Sequence, residues 1–131
     1  MNIGKILLID DNNATNYYNS HFLAKNGFKG EVRIATNGKK GLQLLDDWLP
    51  DLIFLDINMP VMNGLEFLER FEKLPIQLQE EVTIVVMIGV DLTEALTVRL
   101  KQIKNAHTMK GKMLTREHLS KYNIPERVLN P

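Results

Sequence analysis

The sequence predicts an α/β protein: a five-stranded parallel sheet, doubly wound, with five helices. Three observations predict it. Short apolar runs (Lys5 to Ile9, Leu52 to Leu55, Thr83 to Ile88) each stop at a charged or turn-forming residue, as strands buried on both faces do. The segments between them carry apolar residues at helical spacing. Strand–helix alternation occurs five times, which calls for right-handed crossovers and places helices on both faces of the sheet.

The first strand, KILLI, ends in Asp10, Asp11 and Asn12. Asn12 and Asn13 can cap a helix carrying Tyr17, Tyr18, Phe22 and Leu23, which stops near Asn26–Gly27. EVRIA, residues 31–35, alternates apolar and polar like a half-buried strand. Thr36–Asn37–Gly38 punctuates the chain before a helix from Gly41 to Trp48 with Leu42, Leu44, Leu45 and Trp48 at helical spacing. The central strand, Leu52 to Leu55, lies between Pro50–Asp51 and the Asn58–Met59–Pro60 break, with Asp56 at its exit. Asn63 starts a helix with Leu65, Phe67, Leu68 and Phe71 inward. Leu74 to Glu81 reads as a polar loop broken by Pro75, followed by the strand TIVVMI and a helix over Leu92 to Ile103. Ala106 to Gly111 supplies a strand poor in apolar residues, and Thr115, Glu117, Leu119 and Tyr122 mark the last helix. Residues 123–131 either extend that helix or fray, with Pro125 opposing extension.

At 131 residues the chain fits one domain, 1–131. Lys plus Arg and Asp plus Glu number 16 each, and the absence of a basic block argues against nucleic acid or an anionic membrane as partner. Apolar runs too short to span a bilayer and an N-terminus that enters a strand directly predict a soluble, cytoplasmic protein. The lack of cysteine removes disulfides and thiolate chemistry.

In an open α/β sheet ligands bind beyond the carboxyl ends of the strands, so Asp56 faces a site and not a core. If the first and third strands are neighbours, Asp10, Asp11 and Asp56 meet at one mouth. Adjacent acids are ordinarily a solvated turn, but the strand before Asp10 and the presence of Asp56 favour a site. Two unit charges about 4 Å apart repel by roughly 4 kcal/mol at an effective dielectric near 20, so three acids imply a raised pKa or a bound cation. Oxygen ligands favour Mg²⁺, which takes one or two carboxylates and completes its shell with water and phosphate. Beside such an ion, Asp can accept a phosphoryl group. His21, His107 and His118 lack metal-like spacing, and Met87, Met109 and Met113 read as packing residues.

IDDN after the first strand, LDINMPVMNG from the third, and K-x-L-T-x-E-x-L near the end resemble a receiver domain of two-component response regulators over essentially the whole chain. The resemblance implies a flavodoxin-like sheet of order 2-1-3-4-5. It implies Asp56 as phosphoacceptor, Asp11 as a direct Mg²⁺ ligand, Asp10 as an outer or water-mediated one, and the backbone carbonyl of Asn58 as a third. Partners would be a sensor histidine kinase or phosphotransfer protein and a downstream protein, reached by a change of interaction surface. Self-catalysed phosphorylation and dephosphorylation would be slow at most, so the chain would not be an enzyme in its own right.

Departures accompany the resemblance. Where the family carries a Thr or Ser at the end of the fourth strand, this chain has Ile88, with Gly89 following. Spacing assigns the family's lysine to Lys112, with Lys110 a rival, and puts Met113 where a proline would follow; the aromatic position falls on Met109. A non-proline cis bond costs about 2.5–4 kcal/mol, so Lys112–Met113 should be trans, which predicts that the chain re-aims Lys112 away from Asp56. Two other readings stand beside a phosphoaccepting receiver. One is a pseudo-receiver that binds partners but switches weakly. The other is a haloacid-dehalogenase-type phosphatase, which needs a second Asp where Asn58 stands.

Overall fold

Burial is most complete at the centre of the sheet, where every residue of β3 (Leu52–Asp56) is inaccessible to solvent. β1 (Lys5–Ile9) lies on one side of it, with β2 (Glu31–Ala35) beyond; β4 (Thr83–Ile88) and then β5 (Ala106–Lys110) lie on the other. All four pairings are parallel, giving the order 2-1-3-4-5. The computed structural model describes residues 3–88, 94–103 and 105–126. The low apolar content of β5 and the open side of β2 have one cause: each is an edge strand with a single neighbour. Instead of alternating cleanly, β2 buries Ala35, half-buries Val32 and exposes Ile34.

The two-residue period of the strands sorts the core into two layers. Ile6, Leu8, Leu52, Phe54, Val85, Met87 and Met109 pack with Leu23 of α1 (Asn13–Lys25) and Leu119 of α6 (Arg116–Lys121). Leu7, Ile9, Ile53, Leu55, Ile84 and Val86 pack on the opposite face. Leu42 of α2 (Gly38–Leu44), Phe67, Leu68 and Phe71 of α3 (Gly64–Phe71), and Leu96 and Leu100 of α5 (Glu94–Lys101) cover them. Helices thus cover both faces, as the alternation predicts.

A sixth helix among the described residues departs from the expected five. α4 (Ile76–Glu81) occupies most of the segment read as a polar loop. Pro75 precedes its first turn, where a missing N–H costs nothing, and the Pro75 carbonyl accepts from Leu78 and Gln79. The Gln79 side chain donates to the Glu72 and Leu74 carbonyls, tying α4 to the end of α3.

α1 turns a different stripe inward from the one its aromatics suggest. Tyr17 is 73% exposed and stacks on His21, Tyr18 is exposed and stacks on Phe22, and the buried residues are Asn16, Asn19 and Leu23. α2 starts at Gly38 and ends at Leu44, earlier at both ends than expected. For the helix expected over residues 92–103, positions 92 and 93 lie outside the described residues. α6 is not extended: Asn123 turns with φ 59°, and Ile124 donates to the Leu119 carbonyl and is buried. Residues 127–131 lie outside the described part.

Candidate functional site

β1 and β3 are adjacent and parallel with Ile9 level with Leu55, so the next residue on each strand is an acid. Asp10 and Asp56 are buried side by side, 0% and 1% exposed, and Asp11 stands exposed at the rim. One carboxylate oxygen from each of the three lies within 4.8 Å of the others. Lys112 reaches over them, its Nζ 3.0 Å from Asp56 Oδ2 and 3.7 Å from Asp10 Oδ1.

Asp10 Oδ1 accepts from the Asn12 amide at 2.9 Å, while its Oδ2 is buried without a hydrogen-bond partner. Burial pushes the Asp10 carboxyl up from 3.8 to about 6; the Asn12 N–H and Lys112 pull it down, and the Asp56 charge adds to the rise. For Lys112, burial alone would lower the pKa. The hydrogen bond to Asp56 and the charges of Asp10, Asp56 and Asp11 outweigh it and hold the ammonium above its usual value.

Three carboxylates against one ammonium leave the mouth acidic. An orphaned buried oxygen and an all-oxygen donor set fit a hard divalent cation. No second cluster of three acidic or histidine groups within ligand distance occurs among the described residues. Asn58 is exposed two residues beyond Asp56, in the turn that runs to α3. That turn is held tightly: the Gly64 amide donates to the Ile57 carbonyl at 2.8 Å, and a Cβ on Gly64 would lie 2.5 Å from the Asp56 carbonyl. Only glycine lets α3 begin this close to the strand exit. Asn63 caps α3 through a reciprocal pair with Glu66.

Lys112 comes from the loop after β5. Gly111, at φ 75°, donates to the Ile88 carbonyl at 2.7 Å and turns the chain. The Lys112 carbonyl accepts from Asn19 Nδ2 at 2.8 Å, and the Leu114 amide donates to Asn19 Oδ1 at 2.9 Å. No peptide bond among the described residues is cis, so Lys112–Met113 is trans as expected. The expected displacement of Lys112 is absent: its Nζ lies 3.0 Å from Asp56 Oδ2, and Asn19 is hydrogen-bonded to the backbone on both sides of Met113. The rival Lys110 is exposed at the end of β5, level with Ile88.

Asn16 and Asn19 are the residues that sequence reasoning missed. Asn16 Nδ2 donates to the Asp10 carbonyl at 2.8 Å. Their signal was the spacing 16, 19, 23, a helical stripe shared with the buried Leu23. Ile88 is half-buried against the α5-side core, and Met109 is buried beside Met87, while Gly89 lies outside the described residues. Met113, read as a packing residue, is 54% exposed. His107 is exposed, and His118 Nδ1 accepts from the Thr115 amide at 3.0 Å.

Comparison with known proteins agrees with this geometry. The sequence profile of the response regulator receiver domain family matches residues 6–122. A protein-glutamate methylesterase/protein-glutamine glutaminase of Geobacillus kaustophilus is 38% identical over 66 residues, 50% of this chain and 19% of that protein. The nitrate/nitrite response regulator NarL of Escherichia coli K12 is 40% identical over 77 residues, 52% of this chain and 32% of NarL. The matched part is therefore less than two thirds of either relative's length. The crystal structure of a two-component response regulator from Cytophaga hutchinsonii superposes with a TM-score of 0.81 at 23% identity, covering 94% of this chain and 96% of that one, which shows the shared fold.

Proposed function

The chain belongs to the response regulator receiver domain family, and from that premise we propose that it accepts a phosphoryl group on Asp56 and passes the signal on as a changed interaction surface. The observation that carries this reading is the placement of Asp56: it ends the central buried strand, clusters with Asp10 and Asp11, and holds Lys112 at 3.0 Å. An Asp56 oxygen attacks the phosphorus of a phosphohistidine on a sensor kinase or phosphotransfer protein. The O–P bond forms as the N–P bond breaks, and the departing imidazole nitrogen keeps the electron pair and takes a proton. Lys112 turns from Asp56 Oδ2 to an incoming phosphoryl oxygen, exchanging one charge-assisted hydrogen bond for another. Asp11, Asp56 and the Asn58 carbonyl would hold Mg²⁺, with Asp10 behind them; when bound, the ion neutralises charge on the phosphoryl oxygens. No observation favours the phosphatase reading, and Asn58 stands where its second acid would be.

Incubation with acetyl phosphate and Mg²⁺ followed by intact-mass analysis tests the assignment. Wild type should gain one phosphoryl group and Asp56→Asn none; an adduct persisting in the variant would move the site elsewhere.

The second reading, weak switching, rests on Ile88. Its side chain packs into the core and offers no hydroxyl to a phosphoryl oxygen. Losing a charge-assisted hydrogen bond there removes roughly 1.5–3 kcal/mol of coupling, the size of a typical allosteric coupling energy.

A further inference from the structure

We propose that Asn19 is a positioning residue for Lys112: its side-chain amide fixes the loop after β5 so that the ammonium stands over Asp56 and Asp10. The inference rests on the reading of Asp56 as phosphoacceptor and adds to it the source of the site's geometry. Asn19 is 1% exposed on the inner stripe of α1, a place where an apolar side chain would pack beside Leu23 at no polar cost. A buried amide is tolerated only when its hydrogen bonds are made. Both are made, and both go to one short stretch 93 and 95 residues away: Nδ2 donates to the Lys112 carbonyl and Oδ1 accepts from the Leu114 amide.

The pair of bonds spans Met113, whose side chain is 54% exposed. On its other side the loop is held by the Gly111 amide on the Ile88 carbonyl. Lys112 therefore leaves a backbone pinned at both ends, although its own side chain is one-third exposed.

Asn16, on the same stripe, donates to the Asp10 carbonyl. Residues three apart on a helix are separated by about 4.5 Å along its axis. One rigid helix thus holds both the end of β1 and the lysine loop, which sets the 3.7 Å approach of Lys112 to Asp10. Asn19 touches neither the acids nor an incoming phosphoryl group and acts only through Lys112.

The test is a double-mutant cycle on the rate of Asp56 labelling by acetyl phosphate with Mg²⁺. Asn19→Leu, which keeps the γ-branched shape without a polar atom, and Asn19→Ser, which is polar but too short to span Met113, are each made in wild-type and Lys112→Ala backgrounds. Each should slow labelling at least tenfold in the wild type, toward the roughly hundredfold that a misplacement of about 1 Å can cost. In the Lys112→Ala background each should change the rate less than twofold. An equal slowing in both backgrounds would mean a general structural role and overturn the proposal. Loss of the fold in both variants would also overturn it, since a positioning residue costs activity before it costs the fold. If wild type takes no label, the Asp56 reading has failed, and crystal structures of wild type and Asn19→Leu judge the positioning separately. The Lys112–Asp56 contact should be lost in the variant, and its retention would contradict the role.

Discussion

On the α1 side of Asp56, the backbone that sets the site's geometry is tied down by side-chain amides: Asn16 holds Asp10, and Asn19 holds Lys112 and Leu114. On the β4 side, the strand ends in Ile88, half-buried against the α5-side core, and Met109, which pairs with Met87 on the opposite face of the sheet, is likewise apolar. The two sides meet at one carboxylate but serve different tasks. Gathering acids and a cation makes a place for a phosphoryl group, whereas sensing that group needs a donor on an element that can move. The contrast teaches that charge placement and its readout are separable, and that here the first is built from side-chain amide contacts, whereas the described end of β4 presents the apolar Ile88.

The largest expected effects test the α1 side. Asp56→Asn should remain folded and lose labelling by acetyl phosphate entirely, read by intact mass. Asp11→Asn, which removes the exposed member of the acid trio, should abolish the amide shifts that Mg²⁺ titration produces in wild type; equal binding by the variant would mean the carboxylates do not converge on an ion.

Next in size is a dependence on pH. In the metal-free protein the folded Asp10 carboxyl titrates near 6 against an ordinary 3.8, so the native state binds more protons than the unfolded chain between those values. Its contribution to stability is therefore full below about pH 4 and is lost as pH rises through 6. Urea unfolding from pH 4 to 7 should show wild type losing stability relative to Asp10→Asn across that window. A difference that is flat, or that grows in the opposite sense, would remove the buried, partly unpaired carboxylate from the account.

The fold was legible where its signals were local. Apolar runs gave the strands, Asn12 and Asn63 gave helix starts through side-chain caps, and the carboxyl ends of β1 and β3 gave the acids. Long-range polar contacts were illegible: asparagines on a helix read as its solvent face, and nothing near Asn19 in sequence points to Lys112. Tyr17 and Tyr18 misled for the mirror reason, since size and apolarity do not fix which stripe turns inward when buried amides find hydrogen-bond partners. Pro75 read as a breaker because the sequence does not say whether a proline interrupts a helix or introduces one.

The smallest expected effect falls on the β4 side. Ile88→Thr should strengthen the response to phosphorylation by roughly 1.5–3 kcal/mol of coupling, the value of one charge-assisted hydrogen bond. Because Asn19 already holds the lysine loop with a trans bond, Met113→Pro should add nothing to it.

The most direct measurement is the map of amide chemical-shift changes on adding beryllofluoride and Mg²⁺ to wild type and to Ile88→Thr. The account predicts that wild type responds around Asp10 to Asn13, Asp56 to Asn63 and Gly111 to Leu114, with little change in β4 or α5, and that Ile88→Thr extends the response into both. A wild-type response already as large across β4, α5 and β5 as at the acids, and left unchanged by the threonine, would contradict it.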